Sequence, residues 1–296
     1  MIESVSVIGA GTMGNSITHV FAQNGFKVNL VDVSQQQLDK AIQLIDKNCN
    51  RQISKGSLSE EIKAKTLQNI TTFTSLTKGV QSANLIIEAA TENVDLKLKI
   101  FKQLDETAPM NCILATNTSS ISITKIASVT NRPQHVIGMH FMNPVPVMKL
   151  VEIINGYSTD KKITDEIIEL SKQLGKTPCV VNDYPGFIAN RILMPMINEA
   201  IYSLYEGVAG VEEIDTVMKL GMSHPMGPLQ LADFIGLDVC YSILQVLFEG
   251  FGNSKYAPCP LLTNMVQANC LGVKTGEGFY KYTNGNKNLV VSERFQ

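Results

Sequence analysis

His140 and Glu152 are the two side chains in this sequence whose types and spacing best suit acid/base chemistry. They flank the turn-forming stretch 143–146, and each lies six residues from Pro146. If the apolar runs 136–141 and 147–154 are strands that fold back on each other, positions equidistant from Pro146 come face to face. A carboxylate beside one imidazole nitrogen fixes the tautomer and leaves the other nitrogen to exchange a proton with substrate. The spacing therefore predicts the His–Glu pair that a dehydrogenase needs at a secondary alcohol.

The alternative is that His140 is a hydrogen-bonded histidine on an interior strand and that Glu152 is an exposed acid with no part in chemistry. For an isolated histidine and glutamate this is the better interpretation. The sequence before residue 136 favours the acid/base interpretation, because it predicts a nucleotide site at the same edge of a sheet.

A glycine-rich turn near the start of the chain predicts that nucleotide site. Gly9, Gly11 and Gly14 follow a strand pattern and open a helical pattern, and Asp32 comes 18 residues after Gly14 at the end of a second strand pattern. Gly9 permits the tight turn, Gly11 lets the backbone approach a pyrophosphate, and Gly14 lets the helix pack closely on the strand. The alternative is a glycine turn that binds nothing, and the complete strand–turn–helix–strand–acid pattern argues against it.

Asp32 also predicts which dinucleotide is preferred. Its carboxylate can accept hydrogen bonds from the ribose 2′- and 3′-hydroxyls of NAD but would repel the 2′-phosphate of NADP. Residues 33–37 contain no arginine that would reverse this preference. We therefore predict NAD as the cofactor.

Residues 35–66 predict a helical arm after the second strand. Apolar residues recur at helical spacing from 35 to about 55, and a second short helix is predicted over 60–65. Lys47, Arg51 and Lys55 follow at steps of four and so share one face. A solvated face accounts for three basic residues, whereas a phosphate-bearing substrate tail would make the same face a docking site.

Alternating strand and helix patterns between 70 and 138 indicate a doubly wound parallel sheet. Strand patterns lie at 70–74, 85–88, 113–115 and 136–138, with helical patterns near 77–82, 95–107 and 121–128. Ligands on such sheets bind at the carboxyl ends of the strands. Ser119 lies at one of these ends, and it also has a purely structural explanation as the N-cap of the next helix. The polar groups at the strand ends are Asp32, 88–93, 117–120 and 140–143.

The architecture is predicted to change near Pro185. A helix over 159–175 and a strand over 179–181 complete an α/β domain, 1–185, and later helices are predicted at 187–205, 211–220, 228–249 and 260–271. Asn190 lies in the first turn of the first of these helices, and Pro195 predicts a kink. We expect an all-helical domain over 186–296 whose apolar side chains form a core and a dimer interface.

Composition narrows the class of protein. The 296 residues are 44% hydrophobic and 18% charged, with a formal net charge of -2, which describes a globular chain with no global attraction to nucleic acid or anionic membrane. The six cysteines lack the spacing of a zinc site or a disulfide framework, so no metal is predicted. No secretory signal or membrane-spanning run is evident, and a cytoplasmic protein is expected.

With these residues in view, the whole chain resembles the short-chain 3-hydroxyacyl-CoA dehydrogenases, most closely the bacterial 3-hydroxybutyryl-CoA dehydrogenases. Two departures, Met142 in place of a second aromatic and Thr116 in place of a common serine, bear on acyl-chain preference. The resemblance rests on Gly9-Ala-Gly11-Thr12-Met13-Gly14, Glu88-Ala-Ala-Thr-Glu92-Asn93, Thr116-Asn117-Thr-Ser119-Ser120, His140-Phe-Met-Asn143-Pro-Val-Pro-Val-Met-Lys-Leu-Val-Glu152, Pro185-Gly-Phe-Ile-Ala-Asn190-Arg191 and Lys274-Thr-Gly-Glu-Gly-Phe-Tyr.

The resemblance implies a Rossmann-like domain, a helical second domain, a homodimer or higher homo-oligomer, and NAD-dependent oxidation of acyl-CoA substrates. It implies that Arg51 and Lys55 on the arm hold the CoA nucleotide. The catalytic set that it implies is His140, Glu152, Ser119 and Asn190, with Ser119 and Asn190 also touching substrate. The cofactor-binding set comprises Gly9, Gly11, Thr12, Met13, Gly14, Asp32, Glu92, Lys97, Asn117, Asn143 and Lys274.

Two rival functions remain open at this point. A dehydrogenase of the same architecture could act on a free hydroxy acid or sugar acid, although the basic face of the arm argues against it. A non-catalytic dinucleotide-binding protein would have no use for His140 and Glu152 together.

Overall fold

The computed structural model describes residues 2–282 and 289–296. The chain forms two compact units, Met1–Tyr184 and Pro185–Gln296. The first contains one large sheet with helices on both faces, and the second is mainly helical.

The sheet of the first unit has eight strands in the order β3-β2-β1-β4-β5-β6-β7-β8. The first six strands run parallel, as predicted, and β7 pairs antiparallel with β6, so that β7 and the parallel β8 reverse direction. The strand bounds are Ser4–Ile8 for β1, Lys27–Val31 for β2, Ile70–Phe73 for β3, Leu85–Glu88 for β4, Ile113–Thr116 for β5, Val136–Phe141 for β6, Leu150–Asn155 for β7 and Thr177–Asn182 for β8.

Seven α-helices belong to the described part of the first unit. Serine, asparagine or aspartate caps most of them by accepting a hydrogen bond from a backbone N–H of the first turn, as Ser34 does for α2 and Asn93 does for α5. The bounds are Thr12–Gln23 for α1, Gln35–Ser54 for α2, Glu60–Gln68 for α3, Leu76–Val80 for α4, Val94–Thr107 for α5, Ile123–Ala127 for α6 and Lys161–Gln173 for α7.

The arm formed by α2 and α3 has a small core of its own. Ile45, Cys49 and Leu58 are buried together, while the rest of the first unit packs around the sheet. The predicted arm helices are confirmed, and α3 continues three residues past the predicted end, to Gln68.

The central strands are buried on both faces. Every residue of β4, β5 and β6 is buried. Parallel strands covered by helices on both sides are expected to be apolar throughout rather than alternating. Polar side chains such as Glu88, at the last position of β4, therefore stand out as features of the strand ends.

The second unit contains five α-helices and a small antiparallel strand pair within its described residues. Its core comes from α8, α10, α11 and α12, including Ile197, Leu229, Leu244 and Leu262. The bounds are Ala189–Tyr205 for α8, Val211–Thr216 for α9, Pro228–Ile235 for α10, Leu237–Phe251 for α11, Pro260–Gln267 for α12, Tyr280–Lys281 for β9 and Val290–Val291 for β10. The pair formed by β9 and β10 was not predicted from the sequence.

The single helix predicted over 228–249 is wrong. Gly236 has φ +101°, a left-handed conformation that an α-helix cannot contain, and α10 and α11 meet there at 97°. In the part of the chain that the structure describes, no helix is by itself long and apolar enough to cross a membrane, and α10 and α11 reach the required length and composition only as this bent pair.

Candidate active site

The glycine turn between β1 and α1 has the geometry that its spacing predicts. Gly9 has φ +99°, and a Cβ there would lie 2.6 Å from Ala90 Cα. A Cβ on Gly14 would lie 1.7 Å from the Gly9 carbonyl oxygen, so the first turn of α1 packs directly against the glycine turn. A Cβ on Gly11 would meet nothing within 4 Å. The backbone at Gly11 is therefore open to a ligand. Helix α1 begins at Thr12, and the backbone N–H groups of its first residues, Thr12 and Met13, are suited to bind an anion.

Asp32 lies beside this turn. Its Oδ2 accepts a hydrogen bond from Ala10 N at 2.8 Å, and its Oδ1 accepts one from Ser34 N at 2.9 Å. The carboxylate is thus held at the end of β2 and is only half-buried, with Val33 almost fully exposed beside it. These residues fit the ribose end of a dinucleotide whose pyrophosphate lies on the glycine turn.

A buried ion pair occupies the ends of β4 and β5. Lys97 Nζ contacts Glu88 Oε2, and both side chains are almost completely buried. Thr116 Oγ1 also donates to Glu88 Oε2 at 2.9 Å. The family resemblance implies that Lys97 lies near the dinucleotide. In the structure its ammonium is buried and forms an ion pair with Glu88. Glu92 Oε2 lies 4.0 Å from the same ammonium.

Glu92 and Ser119 are brought together at the next loop. Ser119 donates to Glu92 Oε1 from both N (2.7 Å) and Oγ (2.9 Å), and Thr118 Oγ1 donates to Glu92 Oε2 at 2.7 Å. Ser119 is not the N-cap of the following helix: α6 starts at Ile123, and Ser122 accepts from Lys125 N in that role. The structural alternative for Ser119 is therefore wrong, because the residue lies in the loop before the helix.

His140 and Glu152 face each other on β6 and β7, in the register that the distances from Pro146 predict. His140 Nδ1 lies 2.7 Å from Glu152 Oε2, and Glu152 is completely buried. The alternative of an exposed, unrelated glutamate is wrong. Asn117 Oδ1 accepts from Phe141 N at 2.9 Å and so ties the end of β5 to the residue after His140.

The strands fold back later than expected, because β7 begins at Leu150 instead of 147. Val147 N and Met148 N donate to the Pro144 carbonyl at 3.0 and 2.9 Å and make the intervening segment a compact turn. Asn143 is exposed on this turn, and the Asn143–Pro144 peptide bond is cis.

The basic residues of the arm border a cavity of about 480 Å³ in the first unit. Arg51 and Lys55 line it from α2 and its C-terminus, and Pro144, Pro146 and Val147 line it from the β6–β7 turn. Lys47 is not among the described residues that line it, so only two of the three basic residues face this cavity. Its remaining lining residues are Ser16, Gln23, Asn48, Gln52 and Ser57.

Asn190 and Lys274 belong to the second unit. Asn190 is 8% exposed and is the second residue of α8, where its N–H donates to the Gly186 carbonyl at 3.1 Å. Gly186 (φ +75°) and Phe187 (φ +50°) form the irregular entry to this helix. Lys274 is half-exposed, and its ammonium contacts Asp238 Oδ1 in the first turn of α11.

Sequence reasoning missed three buried residues that organise these elements, Lys176, Asp215 and Asp233. Lys176 holds the β6–β7 turn from the start of β8, and it carries no motif. Asp215 accepts from two backbone N–H groups in the first turn of α10 and from the Tyr280 hydroxyl, and Asp233 accepts from backbone N–H groups at 279–280 and from the Tyr282 hydroxyl. The available signal was Asp233 itself, an acid in the largely apolar helical pattern of α10.

Comparison with known proteins decides the family. The model of the 3-hydroxyacyl-CoA dehydrogenase NAD binding domain matches residues 4–184, and that of the 3-hydroxyacyl-CoA dehydrogenase C-terminal domain matches residues 186–282. The chain belongs to the 3-hydroxyacyl-CoA dehydrogenase family. As a member it is an oxidoreductase, and its first unit contains the NAD binding domain of that family.

Individual 3-hydroxyacyl-CoA dehydrogenases are similar over nearly the whole chain. The 3-hydroxybutyryl-CoA dehydrogenase of Bradyrhizobium diazoefficiens is 53% identical over 282 residues, which cover 95% of this chain and 96% of that protein. The mitochondrial hydroxyacyl-coenzyme A dehydrogenase of Homo sapiens is 43% identical, with 95% and 92% covered. The crystal structure of (S)-3-hydroxybutyryl-CoA dehydrogenase from Ralstonia eutropha aligns with a TM-score of 0.94 at 49% identity, over 96% of this chain and 100% of that chain.

Proposed function

We propose that this protein interconverts short-chain (S)-3-hydroxyacyl-CoA and 3-oxoacyl-CoA, with 3-hydroxybutyryl-CoA as the preferred hydroxyacyl substrate and NAD as the cofactor. The observation that carries the proposal is the 2.7 Å contact between His140 Nδ1 and the fully buried Glu152 carboxylate. The names of the similar dehydrogenases support the choice of a four-carbon substrate.

The proposed chemistry is acid/base catalysis by the His–Glu pair. NAD bound at the glycine turn would supply the acceptor for the hydride from C3 of the hydroxyacyl group. His140 takes the hydroxyl proton through the ring nitrogen remote from Glu152, and in the reverse direction it returns that proton. Glu152 holds the ring in one orientation and stabilises the imidazolium.

Ser119 and Asn190 are proposed to donate hydrogen bonds to the substrate oxygen as charge shifts onto it. Ser119 Oγ carries a single hydrogen, which it donates to Glu92 in this structure. In the proposed complex the hydroxyl turns to the substrate, while the Ser119 N–H keeps its bond to Glu92. A preorganised donor of this kind is worth about 3 kcal/mol in the transition state.

For the cofactor we propose that the glycine turn takes the pyrophosphate and Asp32 takes the ribose hydroxyls. Glu92, Asn117, Asn143 and Lys274 are proposed as further cofactor-binding residues. Lys97 acts in this proposal through Glu88 and Glu92, because its buried ammonium is engaged by carboxylates.

The CoA nucleotide is proposed to bind in the cavity between the arm and the β6–β7 turn. Two cations, Arg51 and Lys55, border a cavity of about 480 Å³ whose other lining residues are polar, apart from Val147 and two prolines. Paired cations on one face suit a phosphate-bearing group. This favours a CoA thioester over a free hydroxy acid.

The deciding experiment is an assay of NADH consumption with acetoacetyl-CoA. We expect turnover with the thioester and much slower turnover with free acetoacetate. Faster reaction of the free acid would make the protein a hydroxy-acid dehydrogenase. NADH binding without turnover of either substrate would support a non-catalytic dinucleotide-binding protein.

The nucleotide site has its own test with a matched control. Replacing Arg51 and Lys55 by alanine should raise the KM for acetoacetyl-CoA about tenfold or more and change kcat little, because contacts to a remote nucleotide bind ground and transition states alike. Lys47→Ala, which removes an exposed cation one turn earlier, should leave KM unchanged. Equal losses with a thioester that lacks the nucleotide would show that Arg51 and Lys55 form a solvated face.

We also propose that the protein is a cytoplasmic homodimer. The second unit carries an apolar cavity of about 420 Å³, which Val208 and Val217 help to line, and both side chains are exposed. Exposed apolar surface of this kind is typical of an interface. Sedimentation analysis of the wild type and of Val217→Glu should give a dimer and a weakened dimer, respectively.

A further inference from the structure

We propose that Lys176 is a positioning residue that fixes the β6–β7 turn as one wall of the cavity for the CoA nucleotide, an inference that rests on the proposed function. Lys176 lies between α7 and β8, and only 9% of its surface is exposed to solvent. Its ammonium donates to the Met148 carbonyl at 2.8 Å and to the Val145 carbonyl. Neither family motifs nor helical periodicity single it out.

The contacts of Lys176 reach both halves of the turn. Val145 and Met148 are three residues apart, and the next residue of the chain, Thr177, donates from N to the Lys149 carbonyl at 2.7 Å. The turn is therefore held from the start of β8 at three carbonyls. An ammonium has three donors in a compact head and suits this convergence of carbonyl oxygens.

The opposite side of the same turn borders the cavity. Pro144, Pro146 and Val147 line it, whereas Val145 between them is 1% exposed and packs into the core of the first unit. The turn thus contributes Val145 to the core and its neighbours on both sides to the cavity. A shift of the Val145 and Met148 carbonyls would move the wall that faces Arg51 and Lys55.

The environment of Lys176 is costly for a charge. Burial lowers the pKa of the Lys176 ammonium below its ordinary value. Within the described residues no carboxylate forms an ion pair with it, and its partners are backbone carbonyls. An apolar side chain would fill this position without that cost. The gain that we infer is the fixed position of the turn.

The test compares Lys176→Met with Lys172→Met. The first substitution keeps the length of the side chain and removes its donors, and the second makes the same exchange at an exposed lysine of α7 that pairs with Glu169. Lys176→Met should raise the KM for acetoacetyl-CoA at least about tenfold, the size expected for losing a charge-assisted hydrogen bond that positions a binding group. We expect kcat to change less, because the β6–β7 ladder still pairs His140 with Glu152.

A role confined to stability would reduce the folded fraction and leave KM unchanged, so the division of the loss between KM and kcat separates the two roles. A thioester without the nucleotide should lose little, and NADH affinity should stay within about twofold. Lys176→Arg, which keeps a cation with several donors, should recover most of the affinity. If Lys176→Met does not fold, Lys176→Gln, with one amide donor group, should show an intermediate KM.

Calorimetric titration with CoA itself separates this proposal from the proposed function. Weaker CoA binding in Lys176→Met than in Lys172→Met supports the positioning role even if acetoacetyl-CoA is not turned over. CoA affinities within about twofold of each other in the two variants would overturn it. Absence of wild-type turnover together with intact CoA binding would overturn the proposed reaction only.

Discussion

The first unit buries two glutamates, Glu88 and Glu152, and each touches a basic side chain, Lys97 and His140, respectively. The second unit buries two aspartates, Asp215 and Asp233, to about 1% exposure. Their partners are backbone N–H groups and tyrosine hydroxyls, and in the described part of the chain neither aspartate forms an ion pair.

The difference shows in the ionisation of Asp233. Burial raises its pKa to about 6, although Tyr280 N, Phe279 N and the Tyr282 hydroxyl all donate to it. Dipolar donors offset only part of the cost of burying a charge. A carboxylate paired with a basic side chain can orient that side chain, as Glu152 does with the His140 ring. A carboxylate whose donors are backbone N–H groups instead fixes the conformation of the backbone, as Asp233 does at 279–280.

The largest expected effect comes from breaking the His140–Glu152 pair. Glu152→Gln should lower kcat roughly a thousandfold, because the amide supplies neither the charge nor a reliable acceptor for the ring N–H. His140→Gln should be at least as damaging, and NADH affinity should survive both changes. Steady-state kinetics and NADH titration measure these effects.

The double variant tests whether the two residues act as one unit. It should lose far less than the product of the single losses, because either change alone removes the same function. If the double variant lost the product of the two single losses in kcat, or if Glu152→Gln kept near-normal turnover, the two residues would not act as one catalytic unit. Glu152 would then have a structural role like that of the buried aspartates.

The second prediction concerns Glu88 and Lys97. Lys97→Met leaves a buried carboxylate without its cation and should lower the free energy of unfolding by about 3–5 kcal/mol. Adding Glu88→Leu should restore most of that loss, because no uncompensated charge then remains. Urea unfolding of both variants checks this. A double variant no more stable than Lys97→Met would mean that the pair contributes more than mutual charge compensation.

The third prediction uses the raised pKa of Asp233. Because its folded-state value of about 6 exceeds the ordinary 3.8, the folded state binds the proton more tightly, and the stability this provides at low pH is lost as pH rises through about 6. A shift of this size corresponds to about 3 kcal/mol. Asp233→Asn cannot titrate, so the stability of the wild type relative to the variant should fall by about that amount between pH 3.5 and pH 7.

Urea unfolding at several pH values measures this difference. Glu249→Gln, which makes the same acid-to-amide exchange at an exposed position of α11, is the matched control for this measurement. If the difference between wild type and Asp233→Asn is the same at all pH values, the N–H and hydroxyl donors compensate the buried charge of Asp233 fully.

The same contrast explains what could be predicted from the sequence. Gly9, Gly11 and Gly14 act within one turn, and His140 and Glu152 each lie six residues from the turn at Pro146, so local spacing predicted both. Asp215 meets Tyr280 across 65 residues, and Asp233 meets Tyr280 across 47. No periodicity connects such positions.

The helix break at Gly236 escaped prediction for a related reason. A glycine in an apolar helical pattern is tolerated by helices, and only the neighbouring structure forces a positive φ there. A Cβ on Gly236 would lie 2.9 Å from Lys274 Nζ. At the same break Leu237 N donates to the Leu271 carbonyl at 3.2 Å, a partner outside the range of any local pattern.

The smallest expected effect concerns Asp32 in the first unit. Like the buried aspartates of the second unit, its carboxylate accepts hydrogen bonds from backbone N–H groups. It accepts from Ala10 N and Ser34 N, yet it is only half-buried. Asp32 is therefore a third kind of carboxylate, distinct from the ion-paired glutamates and the fully buried aspartates, because backbone N–H groups hold it while it stays accessible to a ligand. Because no cation in the described part of the chain forms an ion pair with it, it should repel a 2′-phosphate by more than about 1.4 kcal/mol. The kcat/KM for NADH should therefore exceed that for NADPH at least about tenfold.

Asp32→Asn separates charge from shape at this position. The amide can still hydrogen-bond a ribose hydroxyl but does not repel phosphate, so the variant should gain activity with NADPH and lose part of its activity with NADH. Val33→Ala, a change at the exposed neighbour, should leave the ratio alone. Comparable kcat/KM values for both cofactors in the wild type would mean that Asp32 only ties the glycine turn to β2, which is the loop-shaping role that Asp233 has in the second unit.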